Sequence, residues 1–127
     1  MILGIGLDTV EIARFKDWHK KSMPQLLKIF TKEEVEYCVS EPTKSSERFA
    51  ARFAAKEAAF KAICQAFGIP EQPFLSLCRN IEVIKDINGL PKINLKPLVK
   101  SPINSHITIT HTRTSASVIV ILEAKTN

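Results

Sequence analysis

The clearest structural signal in this chain is an alanine-rich segment with the sequence Phe-Ala-Ala-Lys-Glu-Ala-Ala at residues 53–59. At about 3.6 residues per turn, its large apolar side chains and those of its neighbours fall on one stripe, as in a helix packed on a core. Lys56 lies within this stripe, where a lysine must reach the surface or meet an anion. Glu57 and Lys61 lie one turn apart at its edge. The stripe consists of Phe49, Phe53, Phe60, Ile63 and Phe67.

These charged residues have ordinary explanations as well as functional ones. An i,i+4 ion pair between Glu57 and Lys61 would contribute about 0.3–0.5 kcal/mol. Arg48 and Arg52 lie on the flank beyond Lys56, so the helix can equally present a solvated basic face. The helix alone therefore leaves two interpretations open, a basic surface and a site for an anion and a cation.

Length and composition narrow the class of protein. A chain of 127 residues with 45% hydrophobic content suits one core, so we expect a single domain over residues 1–127. Its net charge of +5 favours acidic partners. The three cysteines are odd in number and lack a C-x-x-C pair, which argues against disulfides and zinc. With neither a secretory leader nor an apolar run of about 20 residues, a soluble cytoplasmic protein is expected.

Hydrophobic patterning predicts an α+β protein, with helices first and an antiparallel sheet behind them. Thr31 and Glu34 have the spacing of a capping box at a helix start. Asn88 and Gly89 form a strong hairpin signal. The predicted strands cover residues 2–8, 81–85, 90–95, 106–111 and 117–122, and the predicted helices cover residues 10–21, 31–39 and 47–67.

Three smaller motifs carry weaker signals. The pair Gly4 and Gly6 lacks the third small residue and the βαβ continuation of a dinucleotide site. Asp8 is predicted at the exit of the first strand, where it either reaches a ligand or caps the next helix. His111, between two threonines at a strand end, is by itself more often structural than catalytic.

The combination of motifs is more specific than any one of them. Their order and spacing resemble the holo-acyl-carrier-protein synthases, the small bacterial class of 4′-phosphopantetheinyl transferases. The matching segments are Gly4 to Arg14, Arg52 to Ala62, Asn88-Gly89-x-Pro91 and Ile107 to Thr112. The resemblance covers nearly the whole chain and implies the 4′-phosphopantetheinyl transferase fold, with one long central helix.

The resemblance also implies an activity. Such enzymes transfer the 4′-phosphopantetheine arm of coenzyme A to a serine of an apo acyl carrier protein, in fatty acid biosynthesis, and release adenosine 3′,5′-bisphosphate. By this resemblance, Asp8 and Glu57 are ligands of Mg²⁺, and Glu57 and Lys61 are catalytic. The general base stays open between Glu57 and a metal-bound water. Coenzyme A is held by Arg52, Lys61, Thr110 and His111, with Arg48 and Lys44 as weaker candidates.

Partners and assembly follow from the same resemblance. An acidic carrier protein would dock on the first helix, where charge complementarity sets approach and register. The docking residues would be Arg14, Lys16, Lys20 and Lys21. The resemblance further implies a homotrimer whose active sites lie between subunits. We expect no nucleic-acid partner, because one Trp and one Tyr offer little stacking surface, and no membrane partner.

The chain departs from the family pattern after Ala62. The family has Gly-Thr-Gly there, in a turn beside the coenzyme, whereas residues 63–67 continue the helical pattern. We therefore expect a longer helix. This departure keeps two alternatives open: a noncatalytic basic module that binds a carrier protein or nucleic acid, and a transferase that serves a polyketide or peptide synthetase carrier.

Overall fold

The structure, a computed structural model, describes residues 1–126. It combines five strands with four α-helices and short 3₁₀ turns. The strands are β1 (Ile2–Glu11), β2 (Glu82–Lys85), β3 (Pro91–Asn94), β4 (Ile103–His111) and β5 (Ser115–Ala124). The helices are α1 (Met23–Leu26), α2 (Lys32–Val39), α3 (Ser45–Phe67) and α4 (Phe74–Leu77).

The strands form two antiparallel sheets. The larger sheet has the order β1-β5-β4, so β5 is central and β1 is an edge strand. The smaller sheet is the β2-β3 hairpin, and its predicted Asn-Gly turn is confirmed. In this turn Gly89 has a φ of 79°, and the Asp86 side chain accepts a hydrogen bond from the Asn88 amide at 2.8 Å.

The long helix α3 packs across the inner face of the larger sheet. Two glycines of β1 permit this close approach, since a Cβ atom on Gly4 or Gly6 would collide with the carbonyl oxygen of Ala62 or Ala58. The Gly-x-Gly pair thus serves helix–strand packing rather than a dinucleotide. Alanines on α3 and glycines on β1 bring the two backbones together, so that side chains of both elements meet at their margin.

The predicted helix over residues 10–21 is wrong. Val10 and Glu11 remain in β1, where they pair with Ala116 and Ser115 of β5. Two short 3₁₀ turns, Ile12–Phe15 and Trp18–Lys20, follow instead. The left-handed Asp17, with a φ of 67°, lies between them and prevents a continuous helix. Pairing with a long central strand overrides the local helical pattern.

This correction moves Asp8 as well. Asp8 lies three residues inside β1 and neither ends the strand nor caps a helix. Alternation along β1 buries Asp8 on the face toward α3, together with Gly4, Gly6 and Val10. The carboxylate is thus held in a regular strand with only 9% of the residue exposed.

The predicted apolar stripe of α3 is confirmed over most of its length. Phe49, Phe53 and Ile63 are buried, Phe60 is half-buried, and Phe67 at the helix end is 45% exposed. Aromatic rings from the 3₁₀ turns and the loop before α2 pack on this stripe, including Phe15, Trp18 and Phe30. As predicted, the helix continues to Phe67, and it is followed by Gly68. Within residues 1–126, every helix is too short or too polar to cross a bilayer.

Candidate active site

One of the α3 charges, Lys56, lies in the core. It is fully buried, and its Nζ atom donates to Glu34 Oε1 at 2.8 Å. It also donates to the carbonyl oxygens of Cys78 at 2.8 Å and Ile81 at 2.5 Å. Burial lowers the pKa of the Lys56 ammonium, and the charge of Glu34 opposes this shift. All three donors of Lys56 are thus used, so the predicted need for an anion is met inside the protein.

Glu34 completes this buried cluster and confirms the predicted capping box. Its Oε1 atom accepts a hydrogen bond from the Thr31 amide at 2.9 Å, and Thr31 Oγ1 accepts one from the Glu34 amide. Its Oε2 atom accepts a hydrogen bond from the Val83 amide at 2.9 Å. Lys56 and Glu34 therefore join α3, α2 and β2 through satisfied polar groups, which is a structural role.

The second group of charges is open. Lys61 turns toward β1, where its Nζ atom donates to Asp8 Oδ1 at 3.1 Å and to the Leu7 carbonyl oxygen at 3.0 Å. The i,i+4 pair that local spacing allows between Lys61 and Glu57 is replaced by this contact across elements. The other Asp8 oxygen, Oδ2, is buried and has no hydrogen-bond partner among the described residues. A buried acceptor without a partner is costly, so Oδ2 is available to bond a ligand that binds at this position.

Glu57 stands beside Asp8. Burial raises the pKa of the Glu57 carboxyl, and the negative charge of the neighbouring Asp8 raises it further, while the positive charges of Arg14 and Lys61 lower it. Two neighbouring acids and one unpaired carboxylate oxygen fit a hard cation such as Mg²⁺, which takes one or two carboxylates and fills its other positions with phosphate and water. No group of three or more His, Cys, Asp or Glu suited to a metal occurs within residues 1–126. A site with two carboxylates is consistent with Mg²⁺.

A second polar site surrounds Tyr37. Three cations approach its ring, with Arg52 Cζ at 4.0 Å, Arg48 Cζ at 4.1 Å and Lys85 Nζ at 4.3 Å from the centroid. Burial raises the pKa of the Tyr37 phenol, but a hydrogen bond with Lys85 and the charges of the two arginines outweigh it and lower the pKa. These residues line a cavity of about 230 Å³ that His111 and Ile109 close from β4.

The cavity has unused capacity for an anion. Arg52 is 6% exposed, and its buried Nε atom has no partner among the described residues. Burial lowers the pKa of the Arg52 guanidinium. Two acids lie nearby, since Glu47 Oε1 is 3.1 Å from His111 Nε2 and Glu41 Oε1 is 3.3 Å from Arg48 Nη2. An excess of cations that already share a small cavity suits a phosphate group.

The structure separates the predicted coenzyme residues. Arg52, His111 and the weaker candidate Arg48 meet in the cavity, whereas Lys61 belongs to the Asp8 site. Thr110 lies on the opposite face of β4, paired with Ser117, because neighbouring residues of a strand point to opposite sides. The other weak candidate, Lys44, is exposed and 3.9 Å from Glu41.

Sequence reasoning missed Tyr37 and Lys85. They come from α2 and β2, are 48 positions apart in the chain, and meet only because both elements pack near α3. No local periodicity marks them. One signal in the sequence was the pair of arginines, Arg48 and Arg52, on one flank of α3. Such a pair indicates that an anion or an aromatic ring lies nearby.

The predicted docking residues are spread over the 3₁₀ turns. Arg14 Cζ is 5.2 Å from the centroid of the Phe53 ring, on the side of Glu57. Lys21 Nζ is 5.2 Å from the Trp18 ring centroid, and Lys20 forms an exposed ion pair with Asp17. Lys16 instead lines a separate groove of about 730 Å³ with Arg113. Because two 3₁₀ turns replace the predicted helix, the predicted docking residues do not form one continuous basic surface.

Comparison with known proteins gives consistent results along the chain. Residues 4–120 match the 4′-phosphopantetheinyl transferase superfamily. A holo-[acyl-carrier-protein] synthase of Treponema denticola is 35% identical, over 97% of this chain and 99% of that protein. The same enzyme of Clostridium novyi is 36% identical, over 100% of this chain and 91% of that protein.

Solved structures show the same fold. A holo-(acyl-carrier-protein) synthase from Bacillus anthracis, in complex with CoA (3′,5′-ADP), has a TM-score of 0.75 and 30% identity, and the match covers 98% of this chain and 99% of that chain. The synthase from Neisseria meningitidis has a TM-score of 0.76 and 29% identity, over 97% and 99% of the two chains. The predicted α+β transferase fold is confirmed. This chain belongs to the 4′-phosphopantetheinyl transferase superfamily and is a phosphopantetheinyl transferase of its holo-acyl-carrier-protein synthase family.

Proposed function

We propose that this enzyme transfers the 4′-phosphopantetheine arm of coenzyme A to a serine of an acidic apo acyl carrier protein, in a Mg²⁺-dependent reaction of fatty acid biosynthesis. The observation that carries the proposal is the open site on β1 and α3, where the buried Asp8 Oδ2 atom lacks a partner beside Glu57 and Lys61. Family membership supplies the reaction class, and this site supplies groups that the reaction needs.

The chemistry explains these groups. The serine oxygen forms a bond to the β-phosphorus of coenzyme A, the bond from that phosphorus to the bridging oxygen breaks, and adenosine 3′,5′-bisphosphate leaves. Bound Mg²⁺, held by Asp8 and Glu57, would offset the charge of the phosphate oxygens and polarise the P–O bond. Lys61, which is 54% exposed, presents its ammonium beside Asp8 to the same oxygens. The serine proton passes to a base, for which Glu57 is one candidate.

The cavity around Tyr37 would hold a phosphate of the nucleotide part of coenzyme A. Arg52 and Glu57 are five residues apart on α3, which is a rotation of about 140° around the helix axis. The cavity and the Asp8 site therefore face different sides of one subunit. A neighbouring subunit that brings its cavity to the Asp8 site would complete the coenzyme site.

The outer face of the larger sheet supports such an assembly. Ile5 and Leu7 of β1 are 50% and 57% exposed, and Ile119 of β5 is 38% exposed. Leu7 pairs with Ile119, and Ile5 pairs with Ile121, so the apolar side chains are adjacent. An exposed apolar sheet face is typical of a subunit interface. We assign it to the homotrimer, in which a ring of three copies closes by a head-to-tail contact.

The carrier would approach over Arg14, which is the predicted docking residue beside Glu57. Lys16, Lys20 and Lys21 extend the positive field, which speeds the approach of an acidic partner. We place the reaction in the cytoplasm, since the three free cysteines suit a reducing compartment.

The test is transfer itself. The protein is incubated with coenzyme A, Mg²⁺ and a panel of apo carrier proteins from fatty acid, polyketide and peptide synthesis, and each carrier is weighed by mass spectrometry. We expect the phosphopantetheine mass on the fatty acid carrier, and its loss when a chelator removes Mg²⁺. If no carrier in the panel gains this mass, the proposal fails, whereas a preference for a polyketide or peptide synthetase carrier changes only the acceptor.

A further inference from the structure

Gln65 lies at the end of α3 and contacts the free edge of the larger sheet. Its Oε1 atom accepts a hydrogen bond from the Ile5 amide at 2.6 Å. One turn earlier on the helix, Lys61 donates to the Leu7 carbonyl oxygen at 3.0 Å. Two side chains of α3 therefore reach two successive edge positions of β1, and one of them belongs to the proposed phosphate site.

The edge between these two contacts has free backbone groups. In an antiparallel strand, the N–H and C=O of one residue point to the same side, and the side alternates from residue to residue. The contact to Gln65 shows that Ile5 points away from β5, and Leu7 therefore does too. The Ile5 carbonyl and the Leu7 amide thus face outward between Gln65 and Lys61, with no partner from a loop or side chain among the described residues.

We propose that Gln65 determines specificity for coenzyme A. Together with the free β1 edge, it binds the pantetheine arm of coenzyme A in an extended conformation. This inference rests on the proposed function. The arm carries two secondary amides, each with one donor and one acceptor, and an exposed strand edge offers complementary groups in the manner of β-strand addition. Gln65 is exposed, so its side-chain NH₂ group is accessible as a further donor.

The position of this edge fits the path of the arm. The arm begins at the β-phosphorus, which the proposed reaction places beside Lys61, Asp8 and Glu57. Arg14 lies on the Glu57 side of this point, where the carrier would approach. Gln65 lies one turn beyond Lys61 along α3, away from that approach, so an arm directed over the β1 edge leaves the carrier serine unobstructed.

The experiment compares two ligands that differ in the arm. Binding of coenzyme A and of adenosine 3′,5′-bisphosphate, which lacks the arm and the β-phosphate that carries it, is measured by calorimetry for the full chain with Mg²⁺. The variants are Gln65→Ala and Gln65→Met, the second of which keeps the side-chain volume without hydrogen bonds. Gln72→Ala, at an exposed loop glutamine, is the matched control.

We expect both Gln65 variants to bind coenzyme A about 3- to 10-fold more weakly, the loss of one or two hydrogen bonds, and the bisphosphate as before. An unchanged affinity for coenzyme A, or an equal loss for both ligands, overturns the assignment of Gln65 and leaves the proposed function intact. If the unmodified protein binds neither ligand, the proposed function itself fails. Thermal unfolding of each variant checks that the fold is kept.

Discussion

Two lysines on the same helix illustrate how differently one residue type can be used. Lys56 is fully buried and donates three hydrogen bonds, to Glu34 and to two backbone carbonyls. Lys61, five residues later, is 54% exposed and bonds to one carboxylate oxygen of Asp8. The other Asp8 oxygen has no partner among the described residues. The first cluster is closed and the second is open.

The two clusters differ in how readily they can bind a ligand. In the closed cluster every described donor and acceptor has a partner, so a ligand would have to displace an existing bond. In the open cluster, Asp8 Oδ2 lacks a partner and Glu57 is held beside another acid, which leaves both ready for a cation. An unpaired buried oxygen and two neighbouring acids are therefore a better indication of a ligand site than the presence of charged residues alone.

The largest effect is expected from breaking the open cluster. Asp8→Ala and Glu57→Ala should each lower the transfer rate by about 10³-fold or more, because a metal ion supplies several kcal/mol of transition-state stabilisation. Transfer is measured by the mass of the carrier protein. Since Asp8 Oδ2 has no partner, the control Asp8→Asn should unfold at nearly the same urea concentration as the original protein. Near-normal rates in the alanine variants would refute the metal role.

Breaking the closed cluster should instead affect stability. Lys56→Met leaves the buried Glu34 carboxylate uncompensated, and we expect a loss of about 3–5 kcal/mol in the free energy of unfolding. Urea denaturation measures it. The double variant Lys56→Met with Glu34→Gln, which removes both charges, should recover part of this loss. If the single variant is as stable as the original protein, the cluster is not the structural link that its geometry indicates.

The same substitution at Lys61 should affect the transfer rate rather than the stability. Lys61→Met should lower the transfer rate by about 10²-fold, the usual effect of losing one electrostatic donor. Its free energy of unfolding should change by only about 1 kcal/mol, because the Lys61 ammonium is half exposed and water can replace it. A large loss of stability with a normal rate would reverse the roles of the two lysines.

The smallest effect concerns the cavity around Tyr37. Glu47 lies 3.1 Å from His111 and places a negative charge beside the proposed phosphate site. Glu47→Gln should therefore bind adenosine 3′,5′-bisphosphate about 2- to 5-fold more tightly, in keeping with the modest energy of exposed ion pairs. Glu36→Gln, on the surface of α2, is the control. Weaker binding in the Glu47 variant would show that Glu47 orients His111 for the phosphate and does not compete with the phosphate for it.

Much of the fold was predictable because its signals are local. The apolar stripe predicted α3, Thr31 with Glu34 predicted the start of α2, and the Asn-Gly pair predicted the hairpin. The helix predicted over residues 10–21 failed because β5 offers a long pairing partner, which a local pattern cannot reveal. Motif order indicated the family, and the comparisons confirmed it.

From the sequence alone we predicted a set of functional residues in three separate motifs, with Asp8 in the first, Arg52, Glu57 and Lys61 in the second, and His111 in the third. The packing of the folded chain sets three further features: which lysine is buried, the direction in which Lys61 turns, and the meeting of Arg48, Arg52 and Lys85 around Tyr37. The interactions behind the two sets of features differ in how far along the chain they act. Helix periodicity and turn chemistry act within a few residues, whereas desolvation and charge pairing depend on every element packed around a group.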